Sequence, residues 1–320
     1  MASSPKCLPN FFVVGAPKAG TTSLYHYLDQ HPQIYMSPIK EPNYFAAEIR
    51  PENLADELQL ENARDQAELR EYLQGPMTEK RFGGMVTEWE DYLRLFQSMR
   101  EEKAIGEASV CYLWSKTAAE NIRRAVGEAK ILMILRDPAE RAFSQYLECL
   151  ASGRIREPFA EHIERSRREA GEKFTVAYPL LEFGLYYEQV KRFLTCFGEA
   201  RVSILLYEEY SRDLKLSLQR IYRLLDVDPD FAADTSQRFH EPQVPRLRAL
   251  TGALGKLRAA RLVKKLTPPP WQAALKRAAF RRRESLVMNA ADRANLIGYY
   301  KDDVGKLADL IGRDLGAWLR

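Results

Sequence analysis

The feature that most constrains this chain lies near its start. Residues 10–15 read NFFVVG, a β-rich run ending in Gly, and APKAGTTSLYHYLDQHP follows. After Gly20, Leu24 and Leu28 recur at helical spacing, and His31-Pro32 stops the pattern. A strand, a Gly-bounded loop and a helix within so few residues make a βα unit. The arrangement recurs. AIGEAS (104–109) precedes KTAAENIRRAV, KILMIL (130–135) precedes RDPAERAFSQYLECL, and RVSILLY (201–207) precedes LKLSLQRIYRLLDV. Asp137 suits a helix N-cap, with Pro138 at the first helical position. Strands alternating with helices predict an α/β fold, a central parallel sheet of about four to five strands flanked by helices. The strand order is not legible at this level.

A length of 320 residues fits one α/β domain over 1–320 with insertions. The segments at about 46–100 and 155–198 are charged and mostly helical, and the part at about 240–320 is helical and basic. Apolar residues at 46% and charged residues at 29% exclude a disordered or fibrous chain. A net charge of +4 does not argue for nucleic acid as a partner, but it suits a small, highly anionic ligand. No apolar run approaches the ~20 residues of a membrane span. No apolar leader precedes the first strand, so a complete, cytoplasmic chain without a membrane anchor is expected. The four cysteines are dispersed with no C-x-x-C pair, which fits a reducing compartment. Four histidines without an H-E-x-x-H spacing leave little for a catalytic metal, and none is expected.

Gly15 and Gly20 are spaced like the two glycines of the nucleotide P-loop, G-x-x-x-x-G-K-[ST]. Here Thr21 stands where that loop has Lys, and the lysine sits earlier, at Lys18. Backbone N–H groups at a helix N-terminus still form a nest for anionic oxygens. Thr21, Thr22 and Ser23 add hydroxyls, and Lys18 adds a point charge. An ordinary P-loop kinase or NTPase would need a strand-end Asp for Mg²⁺. KILMIL runs instead into Arg136 and then Asp137, whose place favours a cap. A sulfuryl group carries less charge than a phosphoryl group and can be handled by Lys and backbone donors.

FFVVGAPKAGTTSLYHYLDQHPQI followed by KEPNYF resembles the 5′-phosphosulfate loop of sulfotransferases that use 3′-phosphoadenosine 5′-phosphosulfate (PAPS). The likeness is greatest to the branch holding the glycosaminoglycan sulfotransferases and many soluble bacterial enzymes. ILMILRDPAERAFSQY resembles the family's 3′-phosphate motif, and YYKDDVGKLADLIGRDLGAW its C-terminal helix and closing Trp. The resemblance implies a P-loop-like three-layer fold and PAPS as co-substrate. It implies a 5′-phosphosulfate site at Lys18, Ala19, Gly20, Thr21, Thr22 and Ser23, and a 3′-phosphate site at Arg136 and Ser144. An Arg fork matches phosphate geometry. The acceptor it implies is a carbohydrate or small metabolite bearing a hydroxyl or amine.

Sulfuryl transfer needs a base for the acceptor proton, in line with the leaving phosphate. Glu41, in SPIKEPNYF, matches the Glu that the glycosaminoglycan branch uses, and Lys40 either pairs with it or faces solvent. Glu107, ending the second strand in IGEASVCY, is the alternative catalytic carboxylate. That branch often has Lys after this Glu, where this chain has Ala108. The family places a basic loop before its last helix. RRRES, with Arg282 and Arg283, occupies that position without the branch's Lys-Gly-Arg pattern. The basic residues from Arg246 to Lys265 suit a solvated face. Arg141 is read as a structural salt-bridge former, Tyr186, Tyr187 and Phe193 as mostly core, His31 as a helix-end cap and His162 as exposed. His240 is a weak alternative base. A non-catalytic nucleotide-binding member of the same fold is the remaining reading.

Overall fold

The computed structural model describes residues 8–171, 173–236, 243–245, 280–282 and 287–320. Five strands form one parallel sheet: β1 (Phe11–Gly15), β2 (Ile34–Met36), β5 (Ala104–Ala108), β6 (Lys130–Leu135) and β7 (Val202–Leu206). Their order is β2-β5-β1-β6-β7. Two of these strands, FFVVG at the centre and KILMIL beside it, are continuous apolar runs. That is what a strand covered by helices on both faces requires. Every residue of β1 is buried. Phe11 pairs with Gly106 on one side and Lys130 on the other. A Cβ on Gly106 would lie 2.3 Å from the Phe11 ring, so only glycine admits that ring across the sheet.

Helices α1 (Thr21–Asp29), α4 (Ala118–Val126), α5 (Pro138–Ala151), α7 (Tyr186–Phe197) and α9 (Leu214–Leu224) connect or cover the sheet. A short helix, α8 (Tyr207–Arg212), intervenes between β7 and α9. Asp137 caps α5 as its sequence predicts, accepting the Ala139 N–H at 2.9 Å and the Glu140 N–H at 3.2 Å. The C-terminal helix (Ala290–Ile311) buries Leu296, Tyr300, Val304 and Leu307 along one stripe, packs on α5 and α7, and ends at Gly312 in the left-handed region. Tyr186 and Phe193 are fully buried.

The span 46–100 holds α2 (Asp56–Gln74), α3 (Trp89–Arg94) and one element its charge pattern hides. A two-residue strand, β4 (Arg81–Phe82), pairs in parallel with β3 (Ile39–Lys40). The span 155–198 holds α6 (Phe159–Glu169) and α7. Farther on, β8 (Gln243–Pro245) and β9 (Phe280–Arg282) form an antiparallel pair, and β8 lies against α5.

Three expectations are corrected. His162 is buried, because Phe159, His162, Ile163 and Ser166 form the inward stripe of α6. Its Nδ1 is 2.8 Å from Glu157 Oε1, and burial holds its pKa below the usual range. Arg141 is buried too, yet among the described residues it pairs with no carboxylate. It donates to Gln145 Oε1 at 2.7 Å and to the Leu180 carbonyl. His31 caps the turn after α1 rather than the helix. Its Nδ1 accepts the Gln33 N–H at 3.0 Å, and its Nε2 lies 3.0 Å from the Asp228 carbonyl.

Candidate active site

The C-terminal ends of three neighbouring strands, β5, β1 and β6, bring the predicted residues to one edge of the sheet. After β1 the chain turns through Ala16–Gly20 into α1. Lys18 has φ of 65° and Gly20 φ of 85°. A Cβ on Gly20 would meet the Tyr207 and Tyr210 rings at 3.3 Å, so both its conformation and its space favour glycine. The N-terminus of α1 has no side-chain cap and no acidic residue in its first turn. Its amides, with the hydroxyls of Thr21, Thr22 and Ser23, therefore form a positive helix end suited to anionic oxygens. Ala19, within the loop, is wholly buried.

Arg136 follows β6 directly and is 8% exposed. Its Nη1 donates to the Lys18 carbonyl at 3.0 Å, which locks the two βα junctions together. Its guanidinium lies 4.7 Å from the Tyr207 ring centroid, and Nη2 is 3.6 Å from Glu140. The Glu140 contact is long, and Glu140 also faces Arg293 at 3.6 Å, so Arg136 is not committed to one carboxylate. Asp137 is committed: besides capping α5 it bonds Arg293 at 2.9 Å. Ser144 is buried two turns into α5. One turn farther along the same face, Glu148 reaches the Lys18 ammonium at 2.9 Å.

Glu41 sits on the other side of β1. Its N–H donates to the Ala108 carbonyl at 2.7 Å, at the end of β5. Its carboxylate pairs with Lys40, which is 2% exposed, while Glu41 itself keeps a solvent-facing edge. The two possibilities for Lys40 thus resolve into pairing. Strand β4 explains the placement: Gly83 N–H donates to the Lys40 carbonyl at 2.8 Å and holds β3 against the insertion. Glu107 is fully buried and accepts hydroxyl protons from Tyr92 and Tyr112, each at 2.9 Å, and from Ser109 at 2.8 Å. Burial pushes its carboxyl up to about 7, against the downward pull of those three donors.

Arg282 lies in β9 by its backbone, while its side chain and the whole of Arg283 lie outside the described residues, as do His240 and the basic run from Arg246 to Lys265. Sequence reasoning missed Tyr207 beneath Arg136, Glu148 against Lys18, and the hydroxyls around Glu107. Of these, only Tyr207, an aromatic at a strand's C-terminal end, carried a signal that could have been read.

A parallel sheet with an uncapped, lysine-bearing Gly loop at one strand end and an arginine at the next defines a P-loop-like α/β protein whose strand ends present groups suited to anions. Comparison with known proteins narrows the class. A model of the sulfotransferase family matches residues 9–232, and the chain belongs to that family. It is similar to the crystal structure of a sulfotransferase from Alicyclobacillus acidocaldarius, at 30% identity and a TM-score of 0.72, covering 98% of this chain and 100% of that one. It is 26% identical to carbohydrate sulfotransferase 15 of Rattus norvegicus, over 70% of this chain and 45% of that protein. It is 25% identical to bifunctional heparan sulfate N-deacetylase/N-sulfotransferase 4 of Mus musculus, over 98% of this chain and 31% of that protein. The chain thus spans less than half the length of these curated relatives.

Proposed function

We propose that this chain moves the sulfuryl group of PAPS to a hydroxyl or amine of an acceptor, a carbohydrate or small metabolite. The observation that carries the reading is the convergence of Lys18, Arg136 and Glu41 on the ends of three adjacent strands, with Arg136 bonded to the Lys18 carbonyl. The donor set fits a nucleotide phosphorylated at both 3′ and 5′ positions. The amides and hydroxyls of Gly20–Ser23 with Lys18 suit one anionic group, and Arg136 with Ser144 suits the other. PAPS supplies the sulfuryl group and a phosphate leaving group.

Lys18 stands to donate toward the oxygen that gains charge as its bond to sulfur breaks, a contact worth most in the transition state. Glu41 takes the proton of the acceptor hydroxyl or amine as the new bond to sulfur forms. Glu107 is the alternative base, but its complete burial and its three hydroxyl partners favour Glu41, which keeps an open edge. A reducing, cytoplasmic setting belongs to this reading, supported by the free thiols of Cys111, Cys149 and Cys196.

Transfer from PAPS to a panel of sugars and phenols tests the reading. Glu41→Gln should keep its fold and bind the product nucleotide, 3′-phosphoadenosine 5′-phosphate, like wild type. It should lose roughly 10²–10⁴ in turnover. Near wild-type turnover in Glu41→Gln removes Glu41 as base. Nucleotide binding without turnover on any acceptor favours a non-catalytic member of the fold.

A further inference from the structure

Glu107 is a buried carboxylate that the proton transfer proposed above does not use, yet it is tied to the segment that carries the base. Three hydroxyls commit their protons to it, from Tyr92, Tyr112 and Ser109. A hydroxyl whose proton is fixed presents lone pairs on its other side. Two of the three present them to the Glu41 segment. Ser109 Oγ accepts the Asn43 N–H at 3.1 Å, and the Tyr112 hydroxyl accepts the Phe45 N–H at 3.2 Å.

Asn43 passes the restraint back toward the base. Its side-chain amide donates to the Glu41 carbonyl at 3.0 Å and to the Gly84 carbonyl at 3.1 Å. Glu41 and Asn43 have φ of 67° and 56°. Non-glycine residues seldom adopt such angles, and they persist where the surroundings over-determine them.

We propose that Glu107 is a positioning residue: through Ser109 and Tyr112 it clamps the backbone of residues 43–45 and so fixes where the Glu41 carboxylate stands. The carboxylate sets the polarity of the network. Ionised, it only accepts, so each hydroxyl proton turns inward, and the outward lone pairs of Ser109 and Tyr112 meet loop amides. The inference rests on the reading of Glu41 as base, and its test separates the two.

The first measurement needs neither donor nor acceptor. Amide hydrogen exchange in the free protein should speed up at Phe45 in Tyr112→Phe and at Asn43 in Ser109→Ala. The expected factor is roughly three- to tenfold, what one net hydrogen bond corresponds to. Exchange in β1 and β6 should stay as in wild type.

The second measurement is transfer from PAPS to p-nitrophenol and to desulfated glycosaminoglycan chains as probe acceptors. Both variants should lower kcat and leave the donor KM unchanged. In a Glu41→Gln background, Tyr112→Phe should cost little more, since the clamp acts only through Glu41. Unchanged exchange at both amides overturns the clamp, as does a Tyr112→Phe loss that multiplies in full on Glu41→Gln. Either result leaves the base in place. Wild-type turnover in Glu41→Gln overturns the base reading itself. An inactive Glu107→Gln with both amides still protected overturns the positioning role and makes Glu107 the base.

Discussion

Lys18 meets opposing demands. Its backbone holds a left-handed turn whose carbonyl is taken by Arg136, while its ammonium is taken by Glu148 from α5. A donor phosphate must compete with that carboxylate. Glu148 is about half exposed, so the pair it forms is worth little in water. Glu148→Gln should therefore tighten binding of the product nucleotide about two- to fivefold, the range an exposed pair allows. Calorimetry would read it, and weaker binding would show that Glu148 orients Lys18 rather than competing for it. Lys18→Ala should act on rate more than on affinity. Removing one donor aimed at developing charge costs roughly 10²–10³ in kcat. Steady-state kinetics with kcat near wild type would make Lys18 a binding residue only. The position of Lys18 was legible from two glycines and a strand. Its partner was not, because Glu148 reaches it only through the packing of α5 against the loop.

At the scale of elements, the long apolar strands announced themselves and the short ones did not. FFVVG, AIGEA, KILMIL and VSILL each fill one strand of the sheet, since four to six apolar or small residues between turn signals leave few alternatives. Strand β2 has three residues, and β3 and β4 have two each, too few to show any period. Their existence depends on pairing, and β3 is what delivers Glu41. His162 failed for a related reason: a polar composition hid the i, i+3, i+4, i+7 stripe of α6. Strand β5 carries a pH signature. Burial raises the Glu107 carboxyl from 4.5 to about 7, so between those values the folded chain holds a proton that the unfolded chain releases. The contribution of this group to stability therefore declines as pH rises from about 4.5 to about 7 and is flat above that. Urea unfolding between about pH 5 and about pH 8 should show a fall that Glu107→Gln lacks, at most on the order of 3 kcal/mol. An identical fall in both proteins would place the titration elsewhere.

Across the whole molecule, the strand order gives the site its location. Strands β2 and β5 lie to one side of β1, and β6 and β7 to the other. The crevice between β1 and β6 is where the order reverses, and open α/β sheets bind ligands outside the strand ends at such a point. The loop after β1 and Arg136 after β6 flank that crevice. None of this order could be read from spacing along the chain, whereas the residues that fill the crevice could. With both flanks in place, the crevice suits a nucleotide phosphorylated at its 3′ and 5′ positions. Thermal unfolding with saturating 3′-phosphoadenosine 5′-phosphate tests it most directly, because a ligand that binds only the folded state raises Tm by mass action. Tm should rise in EDTA-containing buffer, and rise less in Arg136→Ala. No shift with that nucleotide, alongside a clear shift with ATP and Mg²⁺, would contradict it.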